Sequence, residues 1–271
     1  MPYLAMTAAE FRACHPLPEK TAWMACHFSP YGTGLTNLPE ALPPGSLLIL
    51  NDRTPIHGHD PALVRDTLAE LTEKFQCAGV LLDFQRTVCR ESPRLVEAVL
   101  TLPCPVCVTA EHQVGTHHPI FLSPVPPLQT AEEYLSPWQG REVWLEAALD
   151  GITVTLTDRG STTAPLPPGE KPECPHFDAE LLCHYRLDLH RDRAVFTLRR
   201  TREDLTALLE SCRSWGITRS VGLWQELGPN TFPTDSLFNR CGSTLGFPRG
   251  EAVAEIGSSQ PISVTDEECG R

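Results

Sequence analysis

The chain has 271 residues, of which 41% are hydrophobic, and its formal net charge is −12 at neutral pH. This length and apolar content suit one large α/β domain. The acidic balance, with no Lys/Arg run longer than Arg199-Arg200, argues against nucleic acid or an anionic membrane as the partner, because both need a basic surface. The sequence has neither an 18-residue apolar span nor a charged start followed by a hydrophobic run, so we expect a cytoplasmic protein without a membrane segment.

Eleven cysteines are present, which is a high and odd number. In a secreted protein an odd number leaves one thiol unpaired, whereas in a reducing compartment cysteines serve mostly as small apolar side chains. Cys26, Cys77 and Cys107 all fall in apolar, strand-like stretches. We therefore interpret the cysteines as core residues.

The N-terminal quarter of the chain predicts one helix and two strands. Thr7 and Glu10 have the spacing of a capping box, which indicates a short helix. Residues 21–28 (TAWMACHF) form the first candidate strand, with His27 at its polar end, and Tyr31 lies in the loop that follows. Residues 46–52 (SLLILND) form a second candidate strand, which ends in Asn51 and Asp52.

A capped amphipathic helix and a buried strand come next. Asp60 is the predicted cap of a helix over 61–75, and Pro61 occupies its first position. The stretch 77–85 (CAGVLLDFQ) is a short apolar run bounded by Gly and polar residues, which is typical of a parallel strand buried on both faces. Asp83 and Gln85 share one face of this strand, because side chains alternate. Since α/β folds place their sites at the carboxyl ends of strands, these two residues mark a candidate site.

The same rhythm continues to residue 148. Ser92 begins a further helix, and three more strands are predicted over 105–112, 119–126 and 141–148. The first of these ends in Glu111 and His112, and the last contains Glu146. Strands and helices that alternate with short connections indicate a parallel α/β fold.

From residue 150 the pattern changes to β-rich sequence. Residues 152–157 alternate apolar and polar side chains, and 183–189 with 194–199 resemble the arms of a hairpin, so 150–200 is predicted to be an insertion. A helix capped by Thr201 then leads to a closing strand over 220–227.

Together these elements predict a TIM-type (β/α)8-like barrel over 1–228, in which one element is short or missing. The remaining residues, 229–271, are rich in Gly, Pro and Ser and end in acidic residues. They are predicted to form an irregular C-terminal tail.

Two stretches, 77–85 with the preceding helix and 183–227, resemble the family 18 glycoside hydrolases, the chitinase-like barrels. In that family the site strand runs Asp-Gly-apolar-Asp-apolar-Asp-aromatic-Glu, whereas residues 78–85 of this chain read Ala-Gly-Val-Leu-Leu-Asp-Phe-Gln. The glycine, the last aspartate and the aromatic residue are retained as Gly79, Asp83 and Phe84. Ala78 and Leu81 replace acids, and Gln85 replaces the glutamate.

This resemblance implies a site for an N-acetylated glycan in which the proton donor has been lost. In the family the glutamate protonates the leaving oxygen, and the aspartate two residues earlier supports the acetamido group of the substrate as it attacks. An amide such as Gln85 cannot donate a proton to an alkoxide, and loss of general acid catalysis costs about 10²–10⁴-fold in rate. The resemblance also matches Trp224 to the tryptophan that forms the floor of the sugar site.

Other side chains near strand ends complete the candidate site. Glu111, Glu146 and Glu226 could each supply a displaced acid or be ordinary solvated or salt-bridged carboxylates, and Glu146 is favoured because its strand is otherwise apolar. Trp224 could equally be a core residue. The candidate catalytic set is Asp83, Gln85 and Glu146, and the candidate substrate-binding set is Tyr31, His27, Asn51, Glu111, Trp224 and Glu226.

No metal or other cofactor is predicted. His57 with His59, and His117 with His118, have no Cys/His partners at metal-binding spacing. Cys104 and Cys107 have redox spacing but enter a strand, and no phosphate-binding loop is present. Three functions therefore stay open, namely a catalytically impaired barrel that binds carbohydrate, an active glycoside hydrolase with a displaced acid, and an interaction or structural barrel without a small ligand.

Overall fold

The computed structural model describes residues 1–167 and 172–228. Its strands are β1 (Tyr3–Met6), β2 (Thr21–Phe28), β3 (Leu35–Thr36), β4 (Leu47–Asn51), β5 (Gly79–Asp83), β6 (Val106–Thr109), β7 (Ile120–Leu122), β8 (Val143–Glu146), β9 (Gly151–Thr157), β10 (Gly160–Pro165), β11 (His176–Asp178), β12 (Cys183–Leu189), β13 (Arg193–Arg199) and β14 (Ile217–Leu223). The helices are α1 (Ala8–Ala13), α2 (Pro61–Lys74), α3 (Ser92–Val99), α4 (Ala131–Leu135), α5 (Arg202–Cys212) and α6 (Trp224–Leu227).

Eight of these strands close into a parallel barrel. Their order around the barrel is β1-β14-β8-β7-β6-β5-β4-β2, and β2 pairs with β1 to complete the circle. The predicted TIM-type (β/α)8-like barrel is therefore confirmed. Within the described residues, no helix is long and apolar enough to cross a bilayer.

The ring of helices around the barrel is incomplete. Between β2 and β4 the chain forms the two-residue strand β3, which pairs antiparallel with β2. Between β6 and β7 it forms a single 3-10 turn, Ala110–His112. The first barrel strand, β1, is absent from the sequence-based prediction because its four residues are too few to establish a periodicity.

The predicted helix starts are present in the structure. Thr7 and Glu10 form both hydrogen bonds of a capping box at α1, and Thr201 does the same with Asp204 at α5. The side chain of Asp60 accepts a hydrogen bond from the amide of Ala62 at the start of α2. Each cap gives a partner to a backbone N–H that the first turn of a helix leaves unsatisfied.

The closing strand differs from its prediction over 220–227. β14 ends at Leu223, and the chain then turns into the short helix α6. Leu223 is the last residue of the strand to pair with β1, opposite Ala5, so no strand partner extends the ladder further. Trp224 and Glu226 consequently lie on α6 and not on the strand.

The insertion is a five-stranded antiparallel sheet, larger than the hairpin that the sequence predicts. Its strand order is β10-β9-β13-β12-β11, and the predicted hairpin forms β12 and β13. The strand β10 is exposed on both faces and β11 has only three residues, so neither shows the alternation by which a strand is recognised. The predicted tail over 229–271 lies outside the described residues.

Two apolar layers hold the barrel together. Side chains such as Ile49, Leu81 and Trp144 fill the interior, whereas Leu82 and Phe84 belong to the layer that packs against α2 and α3. Gly79 leaves no room for a side chain, because a Cβ there would be 2.6 Å from the carbonyl oxygen of Pro105. The nine cysteines within the described residues carry free thiols.

A buried arginine joins the insertion to the barrel. Arg200 is 4% exposed, and its guanidinium donates to the carbonyls of Leu181 and Leu182 before β12 and to those of Val125 and Pro126 after β7. Hydrogen bonds to a charged donor are among the stronger ones in proteins. This side chain therefore helps to hold the insertion against the barrel.

Candidate functional site

Three predicted residues lie side by side at the carboxyl ends of adjacent strands. His27 on β2 pairs in register with Asn51 on β4, and Asn51 pairs with Asp83 on β5. Leu81, two residues before Asp83, belongs to the interior cluster. Because side chains two apart share a face and registered neighbours share a side, all three side chains face the interior side of the barrel mouth.

Asp83 is a buried carboxyl with an altered pKa. It is 1% exposed, and its pKa is raised to about 6, first by burial and then by the nearby carboxylate of Asp52, while the hydrogen bond from Gln85 opposes the rise. In that bond, Nε2 of Gln85 donates to Oδ1 of Asp83 over 2.5 Å. The two residues that the sequence places on one face are thus directly bonded.

Asp52 fixes the loop that carries Gln85. Its Oδ1 accepts a hydrogen bond from the backbone N–H of Gln85 and its Oδ2 from the backbone N–H of Arg86, each over 2.8 Å. In return, Nε of Arg86 donates to the carbonyl of Asp52 over 2.8 Å. The ends of β4 and β5 are therefore connected by a cyclic set of hydrogen bonds, which restricts where the Gln85 side chain can lie.

The side chains of His27 and Asn51 contact the backbone of β2, whereas the side chain of Tyr31 is exposed to solvent. Nδ2 of Asn51 donates to the carbonyl of Met24 over 3.1 Å, and Nδ1 of His27 lies 2.9 Å from the carbonyl of Ala25. Tyr31, in the loop after β2, is 98% exposed. The first two are thus preorganised side chains, whereas the third is an aromatic ring available at the surface.

Glu146 and Glu111 flank a tyrosine. Glu146 is 6% exposed at the end of β8, opposite the interior residue Val221, whereas Glu111 is exposed in the 3-10 turn after β6. Burial raises the pKa of Tyr134 to about 12, and both carboxylates add to the rise. The hydroxyl of Tyr134, which the sequence does not single out, donates to the carbonyl of Ser123.

Trp224 and Glu226 make structural contacts on α6. Trp224 is 5% exposed and packs with Met6 and Cys14 beside α1. Glu226 accepts a hydrogen bond from the amide of Leu149, after β8. These contacts are with the N-terminal residues and with the segment after β8, and not with Asp83.

A further buried group supports the end of β5. The hydroxyl of Thr109 donates to the carbonyl of Phe84 over 3.1 Å, and Nδ1 of His112 lies 3.2 Å from the same hydroxyl. Burial lowers the pKa of His112. Because the hydroxyl of Thr109 donates its single proton to the carbonyl of Phe84, Nδ1 of His112 must be the donor to the hydroxyl oxygen. Only the tertiary fold reveals this role, since Phe84 and Thr109 are 25 positions apart in the chain.

A cavity of 480 Å³ opens beside the mouth, between the loops that follow β4 and β5. Its lining consists of Asp52, Pro55, Ile56, His57, Gln85, Arg86, Thr87, Cys89 and Ser92. This volume lies within the range of small-molecule sites. Gln85 belongs to both the cavity and the Asp83 pair, so the two features are contiguous.

The described residues contain no group of three or more His, Cys, Asp or Glu side chains placed to hold a metal ion. His57 instead pairs with Glu91, with Nδ1 and Oε1 3.2 Å apart. The described site offers carboxyl, amide, imidazole and guanidinium groups.

No family model and no curated protein matches the chain. Among solved structures, it is similar to the spore cortex-lytic enzyme SleL of Bacillus cereus, with 11% identity and a TM-score of 0.48 over 82% of this chain and 69% of that one. The SleL enzyme of Bacillus megaterium QM B1551 gives 11% identity and a TM-score of 0.37 over 68% of this chain.

A third similar structure is the putative sporulation-specific glycosylase ydhD of Bacillus subtilis, with 11% identity and a TM-score of 0.38 over 65% of this chain and 79% of that one. The chain spans 56% of the length of the B. megaterium enzyme. Similarity of this degree concerns the course of the chain and carries no information on activity or ligand.

Proposed function

We propose that this protein is a glycoside-hydrolase-like barrel that binds an N-acetylated glycan at the carboxyl ends of its strands and hydrolyses it poorly or not at all. One observation carries the proposal, namely that Gln85, which the motif resemblance aligns with the family's acid, bonds Asp83 through its amide. The motif resemblance suggests the ligand class, and the bond between the Gln85 amide and Asp83 supports the proposed impairment.

The chemistry of this pair favours binding over hydrolysis. A carboxylic acid can transfer a proton to a departing alkoxide, whereas an amide cannot. With Nε2 donating to Asp83 through one hydrogen, Gln85 keeps a second N–H and a carbonyl oxygen, which can pair with a sugar hydroxyl. Asp83, buried and held by the amide, is in turn positioned to orient an acetamido group.

The remaining predicted residues take different parts in this proposal. His27 and Asn51 would contact the ligand from the mouth, and the exposed ring of Tyr31 would cover a sugar face. Glu111 would contribute from the rim. Trp224 and Glu226 would support the wall through their packing and backbone contacts.

A second candidate is an active hydrolase with a displaced acid, and the position of Glu146 favours it. That carboxyl is almost fully buried at a strand end on the interior side of the barrel, the side that Asp83 also faces. The third candidate is a barrel for protein interaction or structure without a small ligand. An experiment can separate the three.

The test is a calorimetric titration with N-acetylglucosamine oligomers, run beside a fluorogenic hydrolysis assay on the same preparation. Binding without turnover is the expected result. Turnover that disappears in Glu146→Gln would favour the displaced-acid hydrolase. Absence of both binding and turnover would overturn the proposal and leave the interaction barrel.

A further inference from the structure

The cavity beside the mouth contains an arginine whose charge is uncompensated by any ion pair within the described chain. Arg86 lines the cavity and is exposed, and none of the ion pairs in the described residues includes it. Its guanidinium is nevertheless held in place, because Nε donates to the carbonyl of Asp52 and Nη2 to the carbonyl of Arg53, each over 2.8 Å. A cation is thus immobilised by neutral acceptors.

The geometry of these two bonds leaves a specific edge of the guanidinium available. The group has five N–H donors in a rigid fork, and the side edge, formed by Nε and one hydrogen of Nη2, is occupied. Both hydrogens of Nη1 and the second hydrogen of Nη2 have no partner among the described residues. This end-on edge can bind a carboxylate through two parallel hydrogen bonds.

The carboxylates of the cavity do not compete for this edge. Both oxygens of Asp52 accept backbone amides, from Gln85 and Arg86. Glu91, which precedes the lining residue Ser92, is paired with His57. The lining also includes the apolar residues Pro55 and Ile56, so the cavity suits a carboxylate attached to a small hydrocarbon group.

We propose that this cavity binds a carboxylate-bearing substituent of the glycan, with Arg86 as the residue that selects it. The proposal rests on the proposed function, because the sugar itself would lie at the adjoining mouth, next to Gln85 and Asp83. It assigns to the protein a preference for acidic over neutral N-acetylated sugars.

The experiment compares two disaccharides that differ only in this substituent. Calorimetric titrations use N,N′-diacetylchitobiose and the β-1,4-linked disaccharide of N-acetylglucosamine and N-acetylmuramic acid, which adds a lactyl ether with one carboxylate. The acidic disaccharide is expected to bind about fivefold to tenfold more tightly, since an exposed charge-assisted pair contributes modestly. Its methyl ester, which lacks the charge, should lose this advantage, and added salt should reduce it.

Variants identify the residue responsible. Arg86→Gln should abolish the preference, which is measured as the ratio of the two affinities of the variant because the Arg86 side chain also restrains the loop that carries Gln85, and Arg86→Lys, which keeps the charge without the fork, should retain only part of it. Arg53→Gln is the matched control, because its carbonyl remains in place and its side chain does not line the cavity. A thermal melt of each variant confirms folding.

Equal affinity of the wild type for both disaccharides would overturn this inference and leave the proposed function intact. A preference that survives Arg86→Gln would also overturn it. Failure of the wild type to bind either disaccharide would instead contradict the proposed function, and the inference with it.

Discussion

Gln85 and Asp83 are joined side chain to side chain, with Nε2 of the amide 2.5 Å from Oδ1 of a carboxyl that is 1% exposed. The bond explains how a buried carboxyl can remain at the mouth of the barrel, because the amide supplies a donor that solvent does not. Under the proposed function, this amide takes the place of the proton donor of the resembled family.

Replacing Gln85 by Glu is expected to introduce hydrolysis. Two carboxyls at this separation cannot both ionise readily, so the pair should hold one proton near neutral pH. We expect turnover of a fluorogenic N-acetylated glycoside to rise by about 10²-fold or more over the wild type. Gln85→Ala, which removes the bond without adding an acid, is the control and should show no gain. A Gln85→Glu protein that binds the glycan but stays inactive would show that the missing acid is not what limits the reaction.

The raised pKa of Asp83 should make the stability depend on pH. Its pKa is about 6 in the folded protein, against 3.8 as the ordinary value, so between these values the folded state binds the proton that the unfolded state has lost. The free energy of unfolding therefore falls as pH rises through this window, by about 3 kcal/mol from this group alone. Urea unfolding at several pH values measures it.

Asp83→Asn provides the comparison for that pH profile, since an amide oxygen can still accept from Gln85 but does not ionise. From pH 4 to pH 7 the free energy of unfolding of the wild type should fall relative to that of the variant. A constant difference across this range would contradict the assignment of the raised pKa to Asp83.

Arg200 should be a major determinant of how the insertion is held. Replacing it by Met removes hydrogen bonds to four carbonyls and leaves buried acceptors unsatisfied, so we expect a loss of at least about 2 kcal/mol in unfolding free energy. Arg193→Met, at the exposed start of β13, is the matched control and should change stability by less than about 0.5 kcal/mol. Equal effects of the two substitutions would contradict the role of Arg200.

Gly79 should tolerate no larger residue. In Gly79→Ala the added Cβ would lie 2.6 Å from the carbonyl oxygen of Pro105 and 3.0 Å from the ring of Trp144, so strand or ring must move, at a cost of about 1–3 kcal/mol. Gly32→Ala is the control, because its nearest neighbour is Oγ of Ser29 at 3.7 Å. Thermal unfolding of the two variants distinguishes a steric effect from a general effect of replacing glycine.

The barrel could be predicted because its signals are local. Apolar strands such as β4 and β5 alternate with helices. The capping residues of these helices, Thr7 and Asp60 among them, are recognisable from the few residues that follow each of them. The insertion was only partly predicted, since the exposed strand β10 owes its conformation to pairing with β9 and not to an apolar pattern of its own. The end of β14 was misplaced for a similar reason, because the point at which β1 stops pairing determines it.

In the candidate site, too, the features that depend on local sequence could be predicted, whereas those that depend on tertiary contacts could not. The shared face of Asp83 and Gln85 follows from the period of a strand, and their direct bond agrees with it. Asp52 and Arg86 were not recognised as members of the site, because Asp52 reaches Gln85 only when β4 and β5 lie side by side. The burial of Trp224 depends on α1, a contact with the opposite end of the chain that spacing does not disclose.

The strand β1 lies between β2, its near neighbour in sequence, and β14, since Tyr3 pairs with Val221 while Leu4 pairs with Thr21. During synthesis, the edge of β1 that pairs with β14 therefore stays unpaired until nearly all of the described chain has emerged. Such distant pairings are slow to form, and the five-stranded insertion lengthens the delay by separating β8 from β14. Until β14 forms, the facing edges of β8 and β1 are both unpaired. These two edges are thus where a nascent chain would be most exposed to association with other strands.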